Sequence, residues 1–141
     1  PKTVRQILSH LKKNGIVGFV LDQYSGAPVG VRVPLFGIPV GTSLAVAALV
    51  KRTGATLLPV ENIRKSDGRW AVVVHPPLSW KEFSGHLDSH YELAANTAEY
   101  VQQLEGYILA HPDQWLWTHR RFKGDLSPLR AGEWNEPRAR R

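Results

Sequence analysis

The chain has 141 residues, with 18 Lys+Arg against 12 Asp+Glu, and contains neither Cys nor Met. That length suits one domain with one core, and 43% apolar with 21% charged residues excludes wholesale disorder. Absence of cysteine excludes a disulfide framework, a thiolate nucleophile and a Cys-ligated metal or cluster. The longest apolar run, Leu44 to Val50, is far shorter than the ~20 residues needed to cross a bilayer. Starting at Pro1 with no Met anywhere, the sequence reads as a piece of a longer chain.

From the N-terminus, Val4, Ile7, Leu8 and Leu11 recur at helical spacing and predict an amphipathic helix from Thr3 to Asn14, with Gly15 as its left-handed stop. Ile16 to Leu21 is apolar at every position, which predicts a strand covered on both faces, ending at Asp22-Gln23. In open α/β sheets such strand ends are where sites form. Residues 24–41 are rich in Gly and Pro and hold one extended piece, Val31 to Phe36. Thr42 to Arg52 reads as a buried helix capped by Thr42 or Ser43 and ended by Gly54.

Leu57 to Ile63 and Arg69 to His75, joined by a polar segment with Asp67-Gly68, predict a β-hairpin. Trp80 to Leu87 is loop-like. Ser89 to Ala110 is the clearest helix, with Ser89 and Glu92 as a capping box and Tyr91, Ala94, Ala98, Val101, Leu104 and Ile108 as its inner stripe. Gln114 to Thr118 is short and aromatic and predicts one more strand, leading into His119-Arg120-Arg121. The segment from Arg120 to Arg141 carries seven basic and three acidic residues, so it supplies +4 of the net +6. Such an end suits an anionic partner, or a tail kept soluble by its charge. The fold class is α/β.

A search for complete catalytic constellations finds none. No histidine has an acidic residue five positions on, so a base with an orienting carboxylate across a turn is missing. His86, Asp88 and His90 alternate but lack a fourth donor, and loop polarity accounts for them better than a metal. There is no Gly-x-Ser-x-Gly elbow and no Gly-Lys phosphate loop. Two places remain: Asp22-Gln23 at a strand end, and Arg120-Arg121 beside an aromatic wall. A salt bridge between Asp22 and one of these arginines would make both structural.

Asp22-Gln23-x-x-Gly26, Val33-Pro34-Leu35-Phe36-Gly37, Thr42, Pro59-Val60, and above all the block from His111 to Lys123 carry a resemblance. Over residues 3–124 the chain resembles the bacterial lipid A biosynthesis acyltransferases, the late enzymes that add lauroyl or myristoyl chains, within the lysophospholipid acyltransferase superfamily. The resemblance implies the C-terminal half of an acyltransferase fold, a mixed sheet with covering helices, over residues 1–124; beyond it, Pro128, Gly132 and Pro137 among charges predict a basic, poorly ordered tail over 125–141. It implies transfer of a fatty acyl chain from an acyl carrier protein thioester to a hydroxyl of a lipid A precursor, at the cytoplasmic face of the inner membrane and without a cofactor or metal. The family's His-x4-Asp/Glu dyad and membrane anchor are expected upstream, so this segment alone is expected to be inactive. The expected substrate-binding residues are Asp22, Gln23, Thr42, Arg120 and Arg121, with the arginines on phosphate. Rival readings are a relative acting on another lipid acceptor, a half whose upstream dyad is lost, and a non-catalytic basic module binding a membrane or nucleic acid; no nucleic-acid partner is expected.

Overall fold

The computed structural model describes residues 2–83 and 88–123. Helices and antiparallel strand pairs alternate along the chain, as the α/β class requires. The first element, α1 (Lys2–Lys12), presents Ile7, Leu8 and Leu11 half-buried and buries no residue fully. Its left-handed stop is Asn14 (φ 59°), not Gly15; Gly15 lies under the His10 ring, where a Cβ would overlap it.

The predicted strand from Ile16 to Leu21 does not form. The segment is unpaired, with Ile16 92% and Val20 71% exposed. A strand exists only through a neighbour that takes its backbone hydrogen bonds, and none of the described strands adjoins this run.

Two strands follow where one was expected. β1 (Gly30–Leu35) turns back into β2 (Ile38–Ser43), pairing Gly30 with Ser43 and Leu35 with Ile38. The connection is the two residues Phe36 and Gly37, both left-handed (φ 52° and 73°). This handedness matches the twist of paired strands. For phenylalanine it costs roughly 1–2 kcal/mol. Two contacts hold Phe36 there: its N–H donates to Glu105 Oε2 at 2.6 Å, and its ring stacks on Trp117 with centroids 6.2 Å apart. Pro34 and Pro39 face each other in the register; a two-stranded sheet tolerates them because every strand in it is an edge.

Thr42 therefore belongs to a strand and caps no helix. Helix α2 (Ala45–Thr53) begins one turn later than predicted, with Ser43 Oγ accepting from the Ala45 N–H at 3.2 Å, and ends as expected at left-handed Gly54 (φ 67°). The predicted hairpin forms as β3 (Val60–Arg64) and β4 (Trp70–Val74) around left-handed Gly68. At its tip Asp67 accepts from the N–H and side chain of Arg69, which holds its carboxyl below the usual range.

The long helix α3 (Ser89–Ala110) has the predicted bounds, but its cap is Asp88, whose Oδ1 accepts from the Tyr91 N–H at 2.8 Å. Glu92 is thereby released from the expected capping box and pairs with Lys51 of α2. Asn96, fully buried, receives the Lys81 N–H and donates to the Lys81 and Glu92 carbonyls, fastening the 80–83 stretch to α3. The core has two parts. Val33, Leu35 and Val40 of the first hairpin meet Ala98, Val101 and Ile108 of α3. Val46, Ala47 and Tyr100 form the second, covered by Leu21, Leu57, Leu78, Trp80 and Leu93.

The Tyr100 hydroxyl is buried without a hydrogen-bond partner, and burial pushes its pKa from 10.0 up to about 12. The folded state thus keeps this proton more tightly than the unfolded state, so its contribution stands below pH 10 and is lost between about 10 and 12. Two pKa units correspond to about 2–3 kcal/mol. Denaturation midpoints of the chain should fall across that window, and Tyr100→Phe should flatten the fall. An equal fall in the variant would assign it to other groups.

Candidate functional site

The Gly/Pro-rich stretch after the apolar run lies across the β1–β2 hairpin. The Ser25 N–H donates to the Gly41 carbonyl and the Gly30 N–H to the Gly26 carbonyl, each at 2.9 Å. Both hairpin glycines are needed for this approach: a Cβ on Gly41 would lie 2.5 Å from Ser25 O, and one on Gly30 would overlap it. Asp22, Gln23 and Tyr24 are thereby laid against the Gly41–Thr42 end of β2.

Arg121 enters from the other end of the sequence. Its side chain is fully buried. One terminal nitrogen donates to the Gln23 carbonyl at 2.6 Å and the Gly41 carbonyl at 2.7 Å; the other donates to Thr42 Oγ1 at 2.7 Å. Burial pushes the guanidinium down to about 10, and the nearby Asp22 charge pulls the other way. The two residues do not form an ion pair: Asp22 Oδ1 is buried with no donor, as Arg121 Nε is with no acceptor. The salt bridge that would have made both residues purely structural is therefore absent. Lys123 adds a second tie, with Nζ 4.9 Å from the centre of the Tyr24 ring.

Four of the five predicted residues, Asp22, Gln23, Thr42 and Arg121, thus converge on one buried guanidinium. Arg120 does not: it is exposed, and the clamp's acceptors are served by Arg121. Both terminal nitrogens of Arg121 are committed to protein oxygens, so of the adjacent pair Arg120 is the one open to an outside anion.

The predicted strand from Gln114 to Thr118 is replaced by a 3-10 turn (Pro112–Gln114) and a run of bends. Trp117 donates its indole N–H to the Pro112 carbonyl at 2.6 Å and meets Trp115 edge-on. Local turns take the backbone instead: the N–H groups of Gln114, Trp117 and His119 donate to the carbonyls of His111, Trp115 and Leu116. Of His86, Asp88 and His90, the first lies outside the described residues and Asp88 is taken by the α3 cap. The basic tail, 125–141, also lies outside them.

One contact escaped the search at fixed spacing. His75 pairs with Glu61, fourteen residues earlier, and its ring stacks on Tyr107 with centroids 4.2 Å apart. The hairpin register brings the two strands' ends together, and only a reading of cross-strand neighbours would have found it. Burial, with Glu61 second, raises the Tyr107 pKa. An open cleft of about 570 Å³ lies by the β3–β4 tip, lined by Arg64, Lys65, Ser66, Trp70, Asp113 and Gln114; none of the predicted site residues borders it.

Comparison with known proteins covers most of the chain. The family model for bacterial lipid A biosynthesis acyltransferases covers residues 1–124. The lipid A biosynthesis lauroyltransferase of Escherichia coli (strain K12) is 33% identical over 125 residues, covering 86% of this chain and 38% of that protein. A palmitoleoyltransferase of the same strain and a lipid A biosynthesis acyltransferase of Shigella flexneri are each 30% identical over 122 residues, covering 85% of this chain and 37% of theirs. The chain therefore spans under two fifths of the length of these curated relatives. With 124 of its 141 residues accounted for by one family model, the chain belongs to the bacterial lipid A biosynthesis acyltransferase family.

Proposed function

We propose that this chain is the portion of a lipid A acyltransferase that frames the substrate pocket, acting in transfer of a fatty acyl chain from an acyl carrier protein thioester to a hydroxyl of a lipid A precursor at the inner membrane surface. The carrying observation is the clamp: Asp22-Gln23, Gly41-Thr42 and Arg121, three separate pieces of the family's pattern, meet at one buried guanidinium. A buried fork with three acceptors fixes backbone geometry more firmly than it binds ligands. Arg121 and Thr42 are thus positioning residues, and they hold Asp22 and Gln23 at the pocket's edge.

In this reading the acceptor hydroxyl attacks the thioester carbonyl, the C–O bond forms as the C–S bond breaks, and the carrier thiol leaves. The proton is removed by a His-x4-Asp/Glu base supplied by the remainder of the enzyme; such a base contributes ~100- to 10,000-fold. Exposed Arg120 and Lys123 lie where an anionic phosphate on carrier or sugar lipid can be met without burying a lone charge.

The test is Arg120→Ala in a full-length family enzyme carrying this chain as its matching portion. Losing one charge-assisted phosphate contact of about 1.5–3 kcal/mol should lower kcat/KM roughly 10- to 100-fold. Stability should stay within about 0.5 kcal/mol, because the side chain is exposed. Unchanged transfer would remove Arg120 from substrate binding.

A further inference from the structure

Among the described residues two apolar surfaces are left open. In the run Ile16–Leu21, Ile16 is 92%, Phe19 45% and Val20 71% exposed. A stretch apolar at every position is the pattern of a strand with both faces covered, and no described strand pairs with it. On the second hairpin, strict alternation turns Val60, Trp70, Val72 and Val74 outward, 57–70% exposed. A lone two-stranded ribbon is marginal in water, and contiguous exposed apolar surface marks a contact.

Both surfaces lead off one cluster. Leu21 at the end of the run, and Leu57 and Leu78 at the base of the hairpin, pack on the same small cluster of Val46, Ala47 and Tyr100. Within that cluster the buried Tyr100 Oη has no hydrogen-bond partner, and neither has the buried Oδ1 of Asp22, the residue that follows the run. We propose that the Ile16–Leu21 run and the outer face of the β3–β4 hairpin form one docking surface for a further length of acyltransferase polypeptide, the part that the relatives possess beyond the stretch this chain matches. The proposal rests on the family reading above. It draws its occupant from length, since this chain accounts for only 38% of the lauroyltransferase. It draws the chemistry from the unpaired backbone of the run: a polypeptide strand supplies N–H and C=O groups, whereas lipid chains supply none.

The experiment mixes this chain with a polypeptide corresponding to the unmatched three fifths of the Escherichia coli lauroyltransferase and follows amide hydrogen exchange and complex mass. The expected result is a one-to-one complex in which amides of residues 16–21 become at least about tenfold more protected. Val20→Lys and Val72→Lys should each abolish it; both side chains are exposed, so the separate chain keeps its fold. Three results overturn the proposal: no complex, protection of 16–21 in the chain alone through a dimer, or protection by anionic vesicles without the polypeptide. A protected complex without acyl transfer would count against the functional reading and leave the docking surface intact.

Discussion

Arg121→Ala is expected to destabilise the chain by about 3–5 kcal/mol, the range seen when one partner of a buried charged network is removed. The direction follows from what remains. Truncation leaves the Gln23 and Gly41 carbonyls and Thr42 Oγ1 without the donor that now serves them at 2.6–2.7 Å. A buried acceptor so abandoned costs about 1–3 kcal/mol. Burial of the cation works against the native state, since it holds the guanidinium near 10, but Asp22 and the three acceptors offset that. Arg121→Lys keeps the charge and loses the fork, so it should recover part of the loss only. With urea slopes of about 1–3 kcal/mol per molar, the alanine variant should unfold at least ~1 M earlier. A shift within error would mean that water replaces the clamp at no cost.

The second large effect is expected from Gly30→Ala. The added methyl would overlap the Ser25 carbonyl, which is backbone and cannot swing aside as a side-chain tip would. The 22–26 stretch must lift, taking with it the Ser25–Gly41 and Gly30–Gly26 bonds. Overpacking of this kind costs about 1–3 kcal/mol. Combined with Arg121→Ala the losses should add to less than their sum, because both release the same stretch from the same hairpin. Gly106→Ala is the control: a Cβ there meets nothing within 4 Å, and in the middle of α3 alanine should stabilise by about 0.8–1 kcal/mol. If Gly30→Ala and Gly106→Ala behave alike, the close approach does not govern stability.

The elements legible in the sequence were those whose signals are local. α3 was given to the residue by a 3.6-residue stripe, and the β3–β4 hairpin by two apolar runs around Asp67-Gly68. β2 was missed because Gly37 and Pro39 read as breakers; a left-handed Phe-Gly turn and facing edge prolines became visible only with the pairing. Thr42 reads in the sequence as a helix cap, and no local pattern shows that its hydroxyl serves Arg121, seventy-nine residues away. Convergence of Asp22, Gln23, Thr42 and Arg121 is a tertiary fact that no spacing in the sequence states. The strand expected at Ile16–Leu21 does not form: the apolar run is there, but local sequence does not state whether a neighbour is there to pair with it.

Gln114 imitates a strand. Its amide oxygen accepts from the Arg64 N–H at 2.7 Å and its amide nitrogen donates to the Arg64 carbonyl at 3.1 Å. Those two groups must then face away from β4, and by the two-residue period so do those of Asn62 and Val60. The flank of β3 is consequently plugged at its tip by a side chain. Any ribbon extending the sheet from that flank has only the Val60–Asn62 portion to zip along, and it halts one residue pair short of the turn.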